Sequence, residues 1–287
     1  MSHTPPLLLF DPSDLPDTKK LRDQRFEWLI ELGAREISEV PLSQPGFLFG
    51  YERGDTHHRR LVADRPEVRD RPEERQELVH LDDVLARLDT AQVDVPRPRT
   101  WRIGVDDQLP DDLTFPVFVR TPRSSWKRGG TQGRAGSRKQ LVEEMEQLRR
   151  VFGWDTPILA REWIEVAKAG SFMFGDAPQE VRVWIVDRQP AAWAFHYLHA
   201  VGEPAGFPPS ADGLALLKDY GKKIASAFAS RLIAADFVRD QRGCWHFLEA
   251  GPGAVAGTAH QRVFQFVAER IRGVDASLEG DAVGGPL

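Results

Sequence analysis

The chain has 287 residues, of which 41% are hydrophobic and 28% charged, and its formal net charge is −5. This composition is typical of a globular protein and argues against a general nucleic-acid binder, although a local basic segment leaves a nucleic-acid contact open. The single cysteine, Cys244, excludes an intramolecular disulfide and a cysteine-rich zinc site. The sequence has no apolar stretch near the roughly 18–20 residues that span a membrane, and no basic region precedes its short N-terminal apolar run. We therefore expect a cytoplasmic protein without a membrane contact.

Alternating strand and helix patterns predict a small α/β domain over residues 1–95. The predicted elements are a strand at residues 7–10, a helix at Thr18–Leu32 that stops at Gly33, a strand at Arg60–Ala63 and a helix at Leu81–Leu88. His57 and His58 lie in a polar, arginine-rich stretch, which favours a solvated loop. The proline-punctuated stretch Val95–Thr100 predicts a connector to the next domain.

A basic, glycine-rich segment follows FPVFVR (Phe115–Arg120), the first predicted strand of the second part. Residues 120–139 contain seven basic residues and no acidic residue, although the chain as a whole is acidic. Backbone N–H groups and cationic side chains in such a segment can bind phosphates. The alternative is a solvated basic loop, which runs of charge usually form.

The later part of the chain predicts a mixture of helices and hairpins. Its elements are a helix after the capping box Ser137–Gln140, a strand at Ile158–Val166, a hairpin over Gln179–Tyr197, a helix at Leu214–Leu232 and a final helix at Thr258–Ile271. Residues 276–287 are small and polar and predict a disordered tail. His196 and His199 are three residues apart, which is not the spacing of one strand face, so the pattern argues against a histidine metal pair. Both remain able to line a substrate pocket.

A further hairpin carries two carboxylates. The turn sequence Asp240–Gly243 separates two apolar runs, and if its two central residues form the loop, Asp236 lies opposite Phe247. Glu249 then lies on the same face as a diagonal neighbour of Asp236, with Cα atoms about 7–8 Å apart. An error of one residue in the register would place the two carboxylates on opposite faces.

The phosphate-binding segment and the carboxylate pair are complementary. Mg²⁺ prefers oxygen ligands and is often held by one or two carboxylates and by the phosphates of a substrate. Either feature alone fits a structural role. The two together favour a site for Mg²⁺ and ATP.

Taken in order, these segments resemble the ATP-grasp superfamily over about residues 96–273. The matching features are the basic residue that ends FPVFVR, the glycine-rich loop, the acidic strand LAREWIEV, the E-x-R strand around VRVWIV and the metal hairpin ADFVRDQRGCWHFLEAGPG. The resemblance implies an α+β fold in which ATP lies between two antiparallel α+β lobes. It divides the chain into an N-terminal α/β domain (1–95), a small lobe with a glycine-rich lid (96–162), a C-terminal lobe (163–275) and the tail (276–287).

The resemblance implies which residues contact the phosphates. Arg120 takes the position of a lysine that contacts the α- and β-phosphates, and arginine keeps that role with a different geometry. Lys127, or Arg128 as a second choice, would reach the β- or γ-phosphate. Gly129 and Gly130 would allow the loop to close over the nucleotide.

The resemblance also implies an adenine-binding hinge and a residue for the transferring phosphoryl group. The hinge would consist of Arg161, Glu162, Trp163 and Ile164, whose backbone would meet the adenine edge, with Glu162 near the amino group or the ribose. Arg182 would stabilise the γ-phosphoryl group or the acyl phosphate.

The metal site departs from the pattern of the family. Asp236 and Glu249 would hold Mg²⁺, but the family commonly has asparagine two residues after the glutamate, where this chain has Gly251. One metal ligand is therefore missing or replaced by water. A nucleotide-binding module without catalysis becomes an alternative.

The activity implied by the resemblance is ATP-dependent ligation of a carboxylate to an amine. The first alternative is a phosphotransferase that acts on a hydroxyl group, and the second is a catalytically inactive nucleotide-binding or RNA-associated module. The expected partners are small-molecule or peptide carboxylates and amines. Because dimers are frequent among similar proteins, a homodimer is a further expectation.

Overall fold

A computed structural model of the protein describes residues 4–14, 24–50, 54–106, 108–123, 133–172, 175–196, 209–257, 261–274 and 284–286. These residues form a parallel sheet, two larger antiparallel sheets and a small two-stranded sheet, together with the helices that cover them. The predicted α+β class is confirmed. In the described ranges, no helix combines the length and the apolar character that crossing a membrane requires.

The N-terminal unit alternates strands and helices, as predicted. Its elements are β1 (Leu7–Phe10), α1 (Gln24–Glu31), β2 (Arg35–Glu36), β3 (Gly46–Phe49), α2 (Gly54–Val62), β4 (Val68–Arg69), α3 (Pro72–Arg75) and α4 (Leu81–Thr90), with 3-10 turns at Pro12–Asp14, Ile37–Glu39 and Gln76–Leu78. The strands pair in parallel in the order β2-β1-β3-β4. Gly33, with a φ of 80°, follows the end of α1 as the predicted stop signal.

Two predictions for this unit are wrong. Residues 60–62 form the end of α2 and not a strand, because a short apolar run fits either a helix or a strand. The two histidines do not form a solvated loop either, since His58 is buried on α2. His57 Nε2 lies 2.5 Å from the Asp11 Oδ2 atom.

A buried carboxylate joins the N-terminal unit to the C-terminal part of the chain. Asp70 is fully buried, and its Oδ1 atom accepts hydrogen bonds from Ser230 Oγ at 2.5 Å and from the Leu232 N–H at 3.2 Å. Its Oδ2 atom accepts from Arg75 Nε at 3.0 Å, and Arg75 also donates to the Leu48 carbonyl. One charged pair thus ties the parallel sheet to the start of a distant strand.

The small lobe is an antiparallel sheet with a helix on one face. Its elements are β5 (Thr100–Ile103), β6 (Val117–Arg120), β7 (Arg134–Ala135), α5 (Arg138–Phe152) and β8 (Ile158–Glu162). The strand order is β5-β8-β6-β7. Ser137 caps α5 as predicted, its hydroxyl accepting from the Gln140 N–H at 3.3 Å, whereas β8 ends at Glu162 and not at Val166 as predicted.

Alternation along the strands gives this sheet two distinct faces. Val117, Val119 and Ala160 pack with α5 in one apolar cluster. The opposite face, which we call the cleft face, carries Thr100, Arg102, Phe118, Arg120, Leu159 and Arg161.

The C-terminal lobe is built on a five-stranded antiparallel sheet. Its elements are β9 (Lys168–Phe172), β10 (Gly175–Pro178), β11 (Glu180–Val186), β12 (Gln189–Phe195), α6 (Ala211–Ser226), β13 (Leu232–Arg239), β14 (Trp245–Pro252), a 3-10 turn at Gly253–Val255, α7 (Gln261–Ile271) and β15 (Gly284–Pro286). The main sheet has the order β14-β13-β11-β12-β15, while β9 and β10 pair with each other.

The main sheet has one largely apolar face and one face that is divided into an apolar and a polar end. The apolar face packs against α6 and α4. On the other face, the end around Trp184 packs against α7 and β3, whereas the other end carries Arg182, Asp236 and Glu249. The polar end is where the candidate functional site lies.

Three predicted features of this lobe differ from the structure or are refined by it. The long helix ends at Ser226 and Leu232 begins β13. The predicted hairpin turns at Asp187 and Arg188, which have positive φ angles of 47° and 66°. The tail is not disordered throughout, because Gly284–Pro286 pair with β12.

We expect Asp70→Asn to lower the free energy of unfolding by about 3–5 kcal/mol, because it leaves the Arg75 guanidinium buried without its carboxylate. Asparagine tolerates the positive φ of 59° at this position, so the backbone is not strained. Urea denaturation measures the change. The matched control is Asp219→Asn, which removes an exposed pair with Lys223 and should cost less than about 1 kcal/mol. Equal effects of the two substitutions would contradict the anchoring role of Asp70.

Candidate functional site

The β13–β14 hairpin brings the two predicted metal carboxylates together. Asp236 pairs directly with Glu249 across the strands. The predicted register, with Asp236 opposite Phe247, is wrong because the loop spans residues 240–244 and shifts the pairing by one residue. Leu248 is an extra residue that forms a β-bulge and shifts the pairing once more. The two shifts together return both carboxylates to one face, so their predicted proximity is confirmed.

Arg182 forms a buried bidentate ion pair with Asp236. The two residues are cross-strand partners on β11 and β13. Arg182 Nε donates to Asp236 Oδ1 at 2.7 Å and Nη2 donates to Oδ2 at 2.8 Å, while Nη1 donates to the Gly257 carbonyl at 3.0 Å. Burial alone would lower the pKa of Arg182, but the Asp236 carboxylate outweighs burial and raises it.

The side chain of Arg120 reaches from the small lobe to the C-terminal lobe and contacts Glu249, the second carboxylate of the pair. From the cleft face of the small lobe, its Nη1 donates to Glu249 Oε2 at 2.5 Å. Burial would raise the pKa of Glu249, but the charge and hydrogen bond of Arg120, together with Arg182, hold it below its ordinary value. A row of three charged side chains on the large sheet, Arg182, Asp236 and Glu249, therefore faces a cation of the other lobe.

Two more ionisable groups converge on Asp236. Glu180 and His196 are buried, and together with Asp236 they offer ligand atoms that all lie within 4.8 Å of one another. His196 Nε2 lies 3.8 Å from Asp236 Oδ2. No role was predicted for Glu180 from the sequence. Glu180 lies two residues before Arg182 on one strand, and alternation therefore places both side chains on the same face of the sheet.

The predicted hinge connects the two antiparallel sheets. Residues 163–167 follow β8, and Val166 forms an isolated β-bridge with Asp240 at the tip of the β13–β14 hairpin. Trp163 donates its backbone N–H to the Pro116 carbonyl at 3.2 Å, and Ile164 is partly buried. The carboxylate of Glu162 accepts from the Arg99 N–H at 3.3 Å. The contact of this hinge with adenine stays a prediction.

Arg161 has a different position from its neighbours in the predicted hinge. It lies inside β8, paired with Phe118 on one side and Thr100 on the other. Its side chain is buried on the cleft face, and Nε donates to Thr100 Oγ1 at 3.2 Å. Burial, followed by the charge of Arg120, lowers the pKa of Arg161 to about 9.

The predicted lid residues are not part of this geometry. Lys127, Arg128, Gly129 and Gly130 lie outside the described residues. Their phosphate-binding roles stay predictions. The described site thus consists of side chains from β6, β8, β11, β13 and β14, together with His196, which directly follows β12.

The sequence matches no protein-family model, and it matches no curated protein. Its structure, however, is similar to solved ATP-grasp structures. One is a RimK domain protein ATP-grasp from Sphaerobacter thermophilus, with a TM-score of 0.58 and 15% identity, covering 93% of this chain and 98% of that chain.

Two further similar structures are of the D-alanine–D-alanine ligase from Bacillus anthracis. The structure complexed with ATP has a TM-score of 0.58 and 11% identity, covering 94% of this chain and 92% of that chain. The other has a TM-score of 0.58 and 12% identity, covering 92% of each chain. This chain therefore has the ATP-grasp fold.

We expect Arg182 and Asp236 to be strongly coupled in a double-mutant cycle. Arg182→Gln and Asp236→Asn should each lower the free energy of unfolding by about 3–5 kcal/mol, because each leaves a buried charge without its partner. The double variant should lose about 2–3 kcal/mol less than the sum. The control cycle uses the exposed pair Arg150 and Glu146, for which the coupling should stay below about 0.5 kcal/mol. Additive losses at Arg182 and Asp236 would show that their contact is not a stabilising pair.

Proposed function

We propose that this protein is an ATP-dependent ligase that activates a substrate carboxylate as an acyl phosphate for attack by an amine. The observation that carries this proposal is the row Arg182, Asp236 and Glu249 on one sheet facing Arg120 of the other lobe. The ATP-grasp fold of the chain supports it, since one similar structure is a ligase complexed with ATP.

The residues present fit a nucleotide with its metal. The cleft between the two sheets holds arginines from both lobes, which suit phosphate oxygens because guanidinium groups bind them bidentately. Asp236 and Glu249 supply the carboxylate oxygens that Mg²⁺ prefers. When bound, Mg²⁺ would neutralise charge on the phosphates during phosphoryl transfer.

Each group of the site has a distinct task in the proposed reaction. Arg120 holds the phosphate chain, and its present contact with Glu249 has to be exchanged for a contact with phosphate. Arg182 orients Asp236 through two hydrogen bonds and lies next to the group that is transferred. These residues position the reactants and stabilise negative charge, and no protein nucleophile is required.

The chemistry proceeds in two balanced steps. A carboxylate oxygen of the substrate forms a bond to the γ-phosphorus, the bond from that phosphorus to the bridging oxygen breaks, and ADP leaves. The amine nitrogen then attacks the acyl carbon, inorganic phosphate leaves with the electron pair of the broken bond, and the nitrogen loses a proton.

A specific observation favours keeping one alternative. Gly251 lies on the same face as Asp236 and Glu249 and brings no side-chain ligand, so a nucleotide-binding module with little turnover fits the same site. ATP binding without ADP release against any carboxylate and amine would identify that module. Formation of ADP with a phosphate ester would identify a phosphotransferase.

We expect Glu249→Gln to abolish Mg²⁺-dependent ADP release, because it removes a metal-binding charge while keeping the size of the side chain. ADP release is measured against pooled amino acids, peptides and polyamines, with mass analysis of the products. The matched control is Glu146→Gln, the same change at an exposed position of α5, which should leave the rate unchanged. Full activity of the Glu249 variant would remove this residue from the metal site.

We expect Gly251→Asn to lower the Mg²⁺ concentration for half-maximal ADP release by roughly tenfold, because it adds an oxygen ligand beside both carboxylates. A Cβ at this position meets no described atom within 4 Å, so the side chain has room. Gly251→Ala fills the same position without an oxygen and should leave the Mg²⁺ requirement unchanged. The same Mg²⁺ requirement in both variants would place the metal away from β14.

A further inference from the structure

The side chain of Arg161 is buried, and its described neighbours do not fully satisfy its hydrogen-bonding capacity or its charge. It is 4% exposed. Its Nε atom bonds Thr100, whereas its buried Nη2 atom contacts no hydrogen-bond acceptor among the described residues. Buried charged groups are normally paired, because a buried cation without an anion is strongly unfavourable.

The position of Arg120 makes this environment still less favourable. Arg161 is the cross-strand partner of Phe118, and Arg120 lies two residues further along β6 on the same cleft face. The positive charge of Arg120 lowers the pKa of Arg161, and the negative charge of Glu249 raises it. Glu249, however, accepts its hydrogen bond from Arg120. The carboxylate that favours the charge of Arg161 is therefore already bonded to another arginine.

The proposed metal site would remove part of this compensation. If Glu249 turns to a metal ion, Arg161 loses the carboxylate that favours its charge. A ligand that enters the cleft then has to supply negative charge and hydrogen-bond acceptors together.

We propose that the Arg161 side chain is a phosphate-binding group, which donates from Nη2 to a phosphate oxygen of the nucleotide beside Arg120. This inference rests on the proposed function and adds a residue to its phosphate site. A phosphate oxygen supplies both the acceptor and the negative charge that this cation lacks. A nucleobase or a ribose supplies only an acceptor.

The backbone of Arg161 pairs with strands on both sides in the sheet. The residue lies within the central strand β8 between β5 and β6. Its contribution to a ligand therefore comes from the side chain. This separates Arg161 from Trp163 and Ile164, which follow the end of the strand.

The test compares Arg161→Met with the wild type in two independent measurements. Without nucleotide, the variant should unfold at the same or a higher denaturant concentration, because it removes a buried charge and its repulsion with Arg120. In isothermal titration calorimetry, its affinity for ATP and for ADP should fall about 10- to 100-fold. Its affinity for adenosine should not change, because adenosine has no phosphate.

Two further variants sharpen the comparison. Arg161→Lys keeps the charge but not the planar fork, so its affinities for ATP and ADP should lie between those of the wild type and Arg161→Met. Arg102→Met is the matched control, because Arg102 lies on the same cleft face but is paired with Asp82 at 2.9 Å. The control should bind ATP, ADP and adenosine as the wild type does.

The remaining outcomes overturn the inference in distinguishable ways. Unchanged affinity of Arg161→Met for ATP and ADP would remove Arg161 from the phosphate site while leaving the proposed function intact. Loss of adenosine affinity at unchanged stability would assign Arg161 to the base or the ribose. Loss of stability in this variant would assign it a structural role. If the wild type binds neither ATP nor ADP, the proposed function fails and this inference fails with it.

Discussion

The functional site depends on the ion pair between Arg182 and Asp236 in the middle of a largely apolar sheet. The pair is bidentate and buried, and Arg182 reaches on to the Gly257 carbonyl beyond the end of β14. Because Asp236 is also the cross-strand partner of Glu249, the pair fixes a charged row across three strands. The rest of that sheet face is covered by α7 and β3, so the charged end is the part left for the small lobe.

Each of the two predicted metal carboxylates is paired with an arginine. Asp236 is neutralised by Arg182 from its own sheet, and Glu249 is neutralised by Arg120 from the other lobe. Under the proposed function, binding of a metal and a polyphosphate at this site would be an exchange of partners. Phosphate would replace a carboxylate on Arg120, and the metal would replace an arginine on Glu249. Such an exchange would link the contact between the lobes to the presence of the nucleotide, since the ion pair between Arg120 and Glu249 joins the lobes.

Much of the site was accessible from the sequence through the resemblance to the ATP-grasp superfamily, and strand alternation supplied the proximity of Asp236 and Glu249. The order of the motifs placed Arg120, Arg182, Asp236 and Glu249 in one site, and the structure brings them together. The register of the hairpin was not accessible, because nothing in the sequence marks Leu248 as a bulge. In the N-terminal unit, a short apolar run predicted a strand where α2 ends, and GFLF, which forms β3, was missed. Such short runs carry too little periodicity to separate helix from strand.

Arg161 and Arg182 differ in what their charges do for the fold. The charge of Arg182 stabilises the folded protein, whereas the charge of Arg161 destabilises it. Both are arginines on central strands that face the cleft, and burial lowers the pKa of each. In Arg182 the charge of Asp236 and its two hydrogen bonds reverse that effect and raise the pKa, so the charge contributes to stability. In Arg161 the charge of Arg120 adds to the larger effect of burial, and the pKa falls to about 9. The group still carries its proton at neutral pH, and the fold therefore retains a charge that destabilises it. Retention of such a group is expected where a ligand uses it, because functional sites are the places where a protein keeps locally unfavourable arrangements.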